Sequence, residues 1–301
     1  MNRSRDEIPM TPTLVFLHGR GQEFRDPGTL SRDWLGALNA GLTRSGAPPL
    51  TDPALAFPFY ANELYRITTE LTRSGAQIRL ESLTEDTDRP GPLHPEMPDD
   101  VSDVERELIS QLSARTGMTR HEGLDALLGW GPARKALRWL ADHTRVDQQI
   151  IGGFLKDVAV YLTHARNGVL DIVRAAVPDT GDLVLVSHSL GTVVARDLLD
   201  DPDVRSRTRL WVTAGSPLAL EAVQRNLRTP GRTNPGVPWV SAYDVNDVVA
   251  LGHPFRPIWG DPLTDVQVEN ADQPHSISRY LAHPEVADPI GRAVTRTLVS
   301  H

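Results

Sequence analysis

The sequence has no cysteine and no long apolar run among its 301 residues. The absence of cysteine excludes disulfide bonds, thiolate catalysis and cysteine metal sites, and it leaves the redox compartment undetermined. No apolar run approaches the roughly 18 residues that a membrane-spanning helix needs, and the polar, charged residues 1–7 do not resemble a signal peptide. We therefore expect a cytoplasmic protein without a transmembrane segment.

The chain has fewer positively charged residues than negatively charged ones. It has 31 lysine and arginine residues against 39 aspartate and glutamate residues, which gives a net charge of −8 at pH 7. An acidic protein without a basic cluster repels nucleic acid phosphates, so we expect no nucleic-acid partner. Phosphate-binding loops, HExxH zinc helices and dinucleotide fingerprints are missing too. His253 could form a metal site with Asp261 or Asp265, but the spacing of these residues is not that of a known metal site. We therefore expect neither a metal nor an organic cofactor.

Short apolar segments alternate with helical patterns along the chain, which is typical of a parallel sheet with helices on both faces. The helical spacing is clearest at Leu30, Trp34, Leu38 and Leu42, and again over residues 154–176. We predict an α/β fold with a mainly parallel, doubly wound sheet of about six strands. The predicted strands are residues 13–17, 54–60, 183–186, 209–214, 237–243 and 265–268.

Residues 82–149 break this alternation. The segment opens with a proline-rich, acidic loop and continues with short amphipathic patterns, such as the one from Val101 to Leu112. We interpret it as a helical cap inserted into a core formed by residues 1–81 and 150–301. A helical decoration at the sheet edge, without a role in substrate binding, is the alternative interpretation.

The strongest chemical motif is Ser187-His188-Ser189-Leu190-Gly191, which follows an apolar strand and leads directly into a helix of small residues. A serine in a sharp turn between a strand and a helix is the setting of a nucleophile elbow. Gly191 is in place, whereas Ser187 replaces the first glycine of the usual GxSxG pattern and is small enough to fit there. A serine that merely caps the helix would explain Ser189 but not its surroundings.

With this motif, and with His18-Gly19-Arg20-Gly21 after the first strand, the chain resembles the α/β-hydrolase family, in particular its lipase-like and esterase-like bacterial members. The resemblance covers most of the chain outside the predicted cap. It implies an α/β-hydrolase fold and a catalytic triad in the chain order serine, acid, histidine.

Ser189, Asp247 and His275 fit that order as nucleophile, acid and base. Asp247 precedes an apolar pair, as the triad acid does in similar hydrolases. Asp244 is its rival, since it lies at the end of the same strand, and its other possible role is an Asx turn. His275 follows the last predicted strand and precedes a helical segment, and His283 is a weaker alternative.

In such a triad the imidazole takes the serine proton, and the carboxylate orients the imidazole. We expect the backbone N–H groups of Leu190 and Arg20 to bind the oxyanion, because Gly19 and Gly21 allow their loop to approach closely. The Arg20 side chain is interpreted either as solvated or as a contact for an acidic substrate group.

These residues favour a serine hydrolase that cleaves a carboxylic ester of a small molecule or a lipid through an acyl-serine intermediate. Leucines of the predicted cap, together with Trp130 and Trp139, favour an apolar acyl pocket. A thioesterase or peptidase would use the same groups, and a catalytically inactive binding protein on this fold is the alternative from another class. The sequence does not indicate the oligomeric state.

Overall fold

The computed structural model describes residues 11–82, 97–115, 148–250 and 252–295. In this part of the chain six strands form one sheet, in the order β2-β1-β3-β4-β5-β6, and every neighbouring pair is parallel. The prediction of about six mainly parallel strands is confirmed. The strands are β1 Thr13–Leu17, β2 Leu55–Ala56, β3 Leu183–His188, β4 Thr208–Ala214, β5 Trp239–Tyr243 and β6 Leu263–Gln267.

Five of the six strands differ from their predicted boundaries: β3 ends two residues later, β4 begins one residue earlier, and β2, β5 and β6 differ for reasons that the sequence or pairing explains. β2 has two residues instead of the seven predicted over 54–60, because Pro58 cannot donate to a strand ladder. β5 begins at Trp239 for the same reason, since Pro238 precedes it. β6 begins earlier than predicted, at Leu263, which is buried and pairs in register with Trp239.

Helices cover both faces of the sheet. The α-helices of the described ranges are α1 Pro27–Ser45, α2 Ala61–Ser82, α3 Asp99–Arg115, α4 Gln148–Val160, α5 Arg166–Ala176, α6 Leu190–Leu198, α7 Pro202–Arg207, α8 Glu221–Arg225, α9 Arg256–Trp259, α10 Ile277–Leu281 and α11 Pro284–Thr295. None of them is long and apolar enough to cross a membrane. Of the predicted cap, only α3 and the adjoining residues of α2 and α4 fall within the described ranges.

Alternate side chains of each strand point into two separate cores, as expected for a sheet that is buried on both faces. On one face Phe16 of β1 packs with Trp34 and Leu38 of α1 in a core that also contains buried residues of α10 and α11. On the other face Leu17 and Leu185 belong to the core that includes α3 to α6. The predicted helix between the first two strands is therefore confirmed as α1.

The long amphipathic helix predicted before β3 is interrupted by one π-helical turn at Tyr161–Ala165, which separates α4 from α5. The Tyr161 hydroxyl donates to the Asp197 carboxylate across 3.0 Å, and the Arg166 guanidinium donates to the same oxygen across 2.8 Å. Asp197 is fully buried in α6. Charge-assisted hydrogen bonds therefore fasten α6, the helix after the motif serine, to the turn between α4 and α5.

α6 also passes very close to the carboxyl end of β1. A Cβ atom at Gly191 would lie 2.2 Å from the carbonyl oxygen of Leu17 and 2.6 Å from that of His18. Both contacts are with backbone, which cannot move aside as a flexible side chain can. The fold therefore requires glycine at this position.

We predict that Gly191→Ala lowers the free energy of unfolding by about 3 kcal/mol, since the added methyl group overpacks a rigid backbone crossing. Gly36→Ala is the matched control: it is also a helical glycine, and a Cβ there has no described atom within 4 Å. It should stabilise α1 by up to about 1 kcal/mol through helix propensity. Urea denaturation of both variants measures the difference, and equal effects would contradict the prediction.

Candidate active site

The candidate site lies where the sheet order reverses. The chain passes from β1 to β2 on one side of β1 and then returns to β3 on the other side. Loops at the carboxyl ends of strands diverge at such a point and leave a crevice, which is where parallel α/β sheets bind ligands. The loops after β1 and β3 carry Gly19 and Ser189, respectively, and the loops after β5 and β6 carry Asp247 and His275.

Ser189 is the single residue between β3 and α6, and its backbone adopts φ 56° and ψ −127°. This conformation is strained for a residue with a side chain, so its surroundings have to hold it in place. The Ser189 N–H donates to the Ala214 carbonyl across 3.1 Å. Its carbonyl accepts the N–H of Thr192 at 3.0 Å and the Thr192 hydroxyl at 2.7 Å. The strained turn is thus fixed on both sides.

Ser187 fits at the position that usually holds a glycine, because its buried hydroxyl is fully paired. The hydroxyl donates to the Val212 carbonyl across 2.9 Å and accepts the indole N–H of Trp211, also across 2.9 Å. The departure from the GxSxG pattern therefore leaves no unsatisfied polar atom in the core.

The structure brings Ser189, His275 and Asp247 together in one chain of contacts. The Nε2 atom of His275 lies 3.0 Å from the Ser189 hydroxyl, and its Nδ1 atom lies 2.8 Å from Oδ2 of Asp247. Asp247 is fully buried, and its carboxylate also accepts the Val249 N–H at 2.9 Å and the Tyr280 hydroxyl at 2.8 Å. A nucleophile, a base and an orienting acid require this arrangement.

Asp244 and His283, the alternative acid and base, are connected through Asn270 and stabilise the loops next to the three residues. The Asp244 carboxylate accepts the N–H of Asn246 at 2.8 Å, which is an Asx turn, and the N–H of Asn270 at 2.6 Å. The side chain of Asn270 in turn contacts Nε2 of His283 across 3.1 Å. Within the described residues, neither Asp244 nor His283 has a hydrogen bond to Ser189 or His275.

The loop after β1 approaches the serine closely. A Cβ atom at Gly19 would lie 2.9 Å from the Cβ atom of Ser189 and 3.4 Å from its hydroxyl oxygen. The next N–H in this loop belongs to Arg20, and no hydrogen bond in the described part of the chain uses it. The N–H of Leu190 lies in the first turn of α6, where helical N–H groups have no partner in the helix. Gly21 adopts a positive φ of 69°, which glycine tolerates without strain.

The Arg20 side chain is 30% exposed and is among the residues that line a cavity beside Ser189, and it also makes an ion pair that neither sequence interpretation included. Its Nε atom donates to the Asp157 carboxylate of α4 across 2.5 Å. Burial raises the pKa of Asp157, and the neighbouring Arg20 charge opposes that rise. Asp157 is separated from Arg20 by 137 residues, so no local pattern indicates this pair.

Two further histidines, which belong to the sequence motifs but had no role assigned to them, hold the backbone of the site. The His18 ring donates from Nδ1 to the Gly19 carbonyl across 2.6 Å and stacks on Tyr60, with ring centroids 4.0 Å apart. Burial lowers the pKa of His18 from 6.5 to about 4. His188 donates from Nε2 to the His275 carbonyl across 3.0 Å, and burial, with a smaller contribution from His275, lowers its pKa well below the usual value. Both rings are therefore neutral at pH 7.

Tyr280 and Gly215 also contribute to the site, and the sequence did not predict a role for either residue. Besides donating to Asp247, the Tyr280 hydroxyl accepts the backbone N–H of Asp244 across 3.0 Å. A Cβ atom at Gly215 would lie 2.7 Å from Oδ2 of Asp247 and 3.0 Å from Nδ1 of His275. The only available signal for Tyr280 is its position on the helix that directly follows the His275 loop.

A cavity of about 530 Å³ opens on Ser189 and His275. One part of its wall is apolar and includes Leu112 of α3. Part of the predicted cap, residues 82–149, therefore reaches the cavity. The apolar lining residues are Leu30, Trp34, Leu112, Ile151, Phe154, Val248, Val249 and Ile277. Gln22, Arg25 and Asp33 line a polar part. Trp130 and Trp139 lie outside the described residues.

The residues considered for a metal site have other partners. His253 contacts the Ser241 hydroxyl at 3.0 Å and the Ala250 carbonyl at 2.5 Å. The Asp265 carboxylate accepts the N–H groups of Phe255 and Arg256. Across the described ranges, no group of three or more His, Asp or Glu side chains could hold a metal ion.

The chain is similar to a known protein family over part of its length. A family model described as the PGAP1-like alpha/beta domain, which is α/β-hydrolase-like, matches residues 117–229. The matched region contains β3, Ser189, α6 and β4, whereas β1, Asp247 and His275 lie outside it. Together with the six-stranded parallel sheet and its flanking helices, this match establishes an α/β-hydrolase fold. No curated protein and no solved structure showed a match to the chain.

The lowered pKa of His18 predicts a specific loss of stability in acid. Between pH 6.5 and about 4 the unfolded chain binds a proton at this histidine and the folded chain does not. The contribution of neutral His18 is therefore complete above pH 6.5 and is lost as the pH falls towards 4, by about 3 kcal/mol in total.

Urea denaturation of His18→Gln over this pH range should show a shallower decline in the free energy of unfolding than wild type. His164→Gln is the control, because His164 is 34% exposed, lies on the π-helical turn and contacts Asp100 instead of the loop after β1. A decline in His18→Gln as steep as in wild type would contradict the assignment.

Proposed function

We propose that this protein is a serine hydrolase that cleaves carboxylic esters through an acyl-serine intermediate. The observation that carries the proposal is the series of two short contacts, 3.0 Å from the Ser189 hydroxyl to His275 and 2.8 Å from His275 to Asp247. Distances of this size allow direct proton transfer from the serine to the imidazole. Ser189 and His275 also line a cavity large enough for a small organic substrate.

In the proposed reaction the Ser189 oxygen attacks the ester carbonyl while His275 takes the hydroxyl proton. The buried Asp247 carboxylate stabilises the resulting imidazolium and remains ionised. The backbone N–H groups of Arg20 and Leu190 bind the oxyanion of the tetrahedral intermediate. His275 then gives its proton to the departing alcohol. In the second half of the reaction, His275 takes a proton from water as the water attacks the acyl carbonyl, and it returns the proton to Ser189 as the carboxylic acid leaves.

The cavity supports an ester whose acyl group is apolar. Ile151 and Phe154 from α4, and Val248 and Val249 after β5, form its apolar wall beside the serine. We assign the acyl chain to this wall and the alcohol to the polar side at Gln22, since burial of apolar surface favours such an orientation. We also propose that residues 82–149 act as a cap over the acyl chain, a role that Leu112 supports.

A fluorophosphonate probe tests the nucleophile directly. Wild-type protein should be labelled and the Ser189→Ala protein should not, with circular dichroism showing that both are folded. No labelling of folded wild-type protein would overturn the hydrolase proposal in favour of an inactive binding protein, and labelling of both proteins would overturn the choice of Ser189. Nitrophenyl esters of increasing chain length, beside thioester and peptide substrates, then identify the bond that is cleaved.

The acid is tested by a pair of matched variants. Asp247→Asn should lower kcat by about 10⁴-fold, because an amide no longer holds the imidazole in the reactive tautomer. Asp244→Asn makes the same chemical change three positions earlier, at a carboxylate that contacts backbone N–H groups instead of His275. Its loss of kcat should be far smaller. Equal losses in the two variants, with both proteins folded, would contradict the assignment of Asp247.

A further inference from the structure

The ion pair between Arg20 and Asp157 connects the loop after β1 to helix α4. We propose that this pair positions the backbone N–H of Arg20 as an oxyanion donor, so that α4 determines both the shape of the acyl pocket and the geometry of the oxyanion site. The inference rests on the proposed hydrolase function. It makes Arg20 and Asp157 positioning residues, since only the Arg20 backbone would touch the reacting atoms.

The loop needs such a support. It contains Gly19 and Gly21, and glycine allows more backbone conformations than other residues. On one side the His18 ring holds the Gly19 carbonyl, and the Gln22 side chain donates to the Arg20 carbonyl across 3.0 Å. The Arg20 side chain supplies the long-range contact, because its partner lies on another element 137 residues away.

Helix α4 is shaped to receive the guanidinium group. A Cβ atom at Gly153 would lie 2.8 Å from Nη2 of Arg20 and 3.1 Å from its Cζ atom, so the guanidinium lies against the helix backbone. Asp157 lies one turn further along the same face, with its side chain 14% exposed, and accepts the Nε–H of Arg20. The absence of a side chain at position 153 therefore makes the ion pair possible.

The same helix forms part of the acyl pocket. Ile151 and Phe154 of α4 line the cavity beside Ser189 and His275. Any displacement of α4 would therefore move the apolar wall and the Arg20 N–H together. Loss of one oxyanion donor typically costs about 100- to 1,000-fold in rate, and a misplacement of about 1 Å can cost 100-fold. The ion pair is thus well placed to govern kcat.

Two neighbouring glycines of α4 provide a matched test. Gly153→Ala would displace the Arg20 guanidinium, which is the flexible end of a side chain, so the protein should still fold. Gly152→Ala adds the same methyl group one residue earlier, where no described atom lies within 4 Å of the new Cβ. Both changes raise helix propensity equally, so a difference between the two variants reports the contact of position 153 with Arg20.

We expect kcat for a nitrophenyl ester to fall about 10- to 100-fold in Gly153→Ala, with KM nearly unchanged. The affinity for a boronic acid that mimics the tetrahedral intermediate should fall by a similar factor. Gly152→Ala should match wild type in both measurements. If Gly153→Ala retains wild-type kcat and boronic acid affinity, the proposal is wrong.

A double-mutant cycle tests whether the two charged residues act as one unit. Arg20→Ala and Asp157→Asn should each lower kcat, and the double variant should be no slower than the slower single variant. Arg20→Lys keeps the charge but loses the Nε–H donor, so it should rescue Arg20→Ala only in part. Losses that multiply in the double variant would overturn the proposal.

Hydrogen exchange separates this inference from the proposed function, because it requires no activity. The peptide that contains residues 18–25 should exchange faster in Gly153→Ala and in Asp157→Asn than in wild type or Gly152→Ala. A wild-type protein that the fluorophosphonate does not label would refute the hydrolase function and the oxyanion role with it, while the exchange data would still report on the anchoring. Unchanged exchange in both variants would refute the anchoring even in an active enzyme.

Discussion

The strained backbone turn at Ser189 is the constraint on which the rest of the site depends. With φ at 56°, the chain leaves β3 and enters α6 without an intervening loop, which directs the serine side chain into the crevice at the reversal of the sheet. The close crossing that results excludes a side chain at Gly191, and Gly19 must approach from the neighbouring strand. Thr192 and Ala214 hold the turn by hydrogen bonds, so the strain is balanced by its immediate neighbours.

The two buried histidines of the site, His18 and His188, are a second important feature, because their rings carry no charge. His18 directly precedes Gly19 and His188 directly precedes Ser189, and both rings are neutral at pH 7 because burial lowers their pKa. The Asp247 carboxylate is the charged group closest to the His275 ring, and it has three hydrogen-bond partners. An imidazolium formed at His275 would therefore face one matched negative charge and no competing positive charge from these two rings.

The parts of the structure that follow from local pattern could be predicted from the sequence. Apolar strands, the amphipathic α1 and the turn at Ser189 all depend on residues that are near one another in the chain. The boundaries of β2 and β5 were wrong because proline interrupts a ladder more sharply than apolar composition suggests. The sequence could not separate Asp247 from Asp244, since both follow β5; the tertiary contact of His275 with the Asp247 carboxylate distinguishes them. The contact of Arg20 with Asp157 was likewise beyond any local signal.

The order of strands in the sheet also bears on how the site assembles during synthesis of the chain. From β3 onwards each new strand is added next to the previous one, so β6 completes the sheet last. Ser189 and His275 are separated by 86 residues, and His275 follows β6. A nascent chain that has emerged only as far as β4 already contains the serine turn but lacks the histidine and the acid. The chemistry proposed for Ser189 would thus be withheld from every incomplete chain and would begin only when the last strand has joined the sheet.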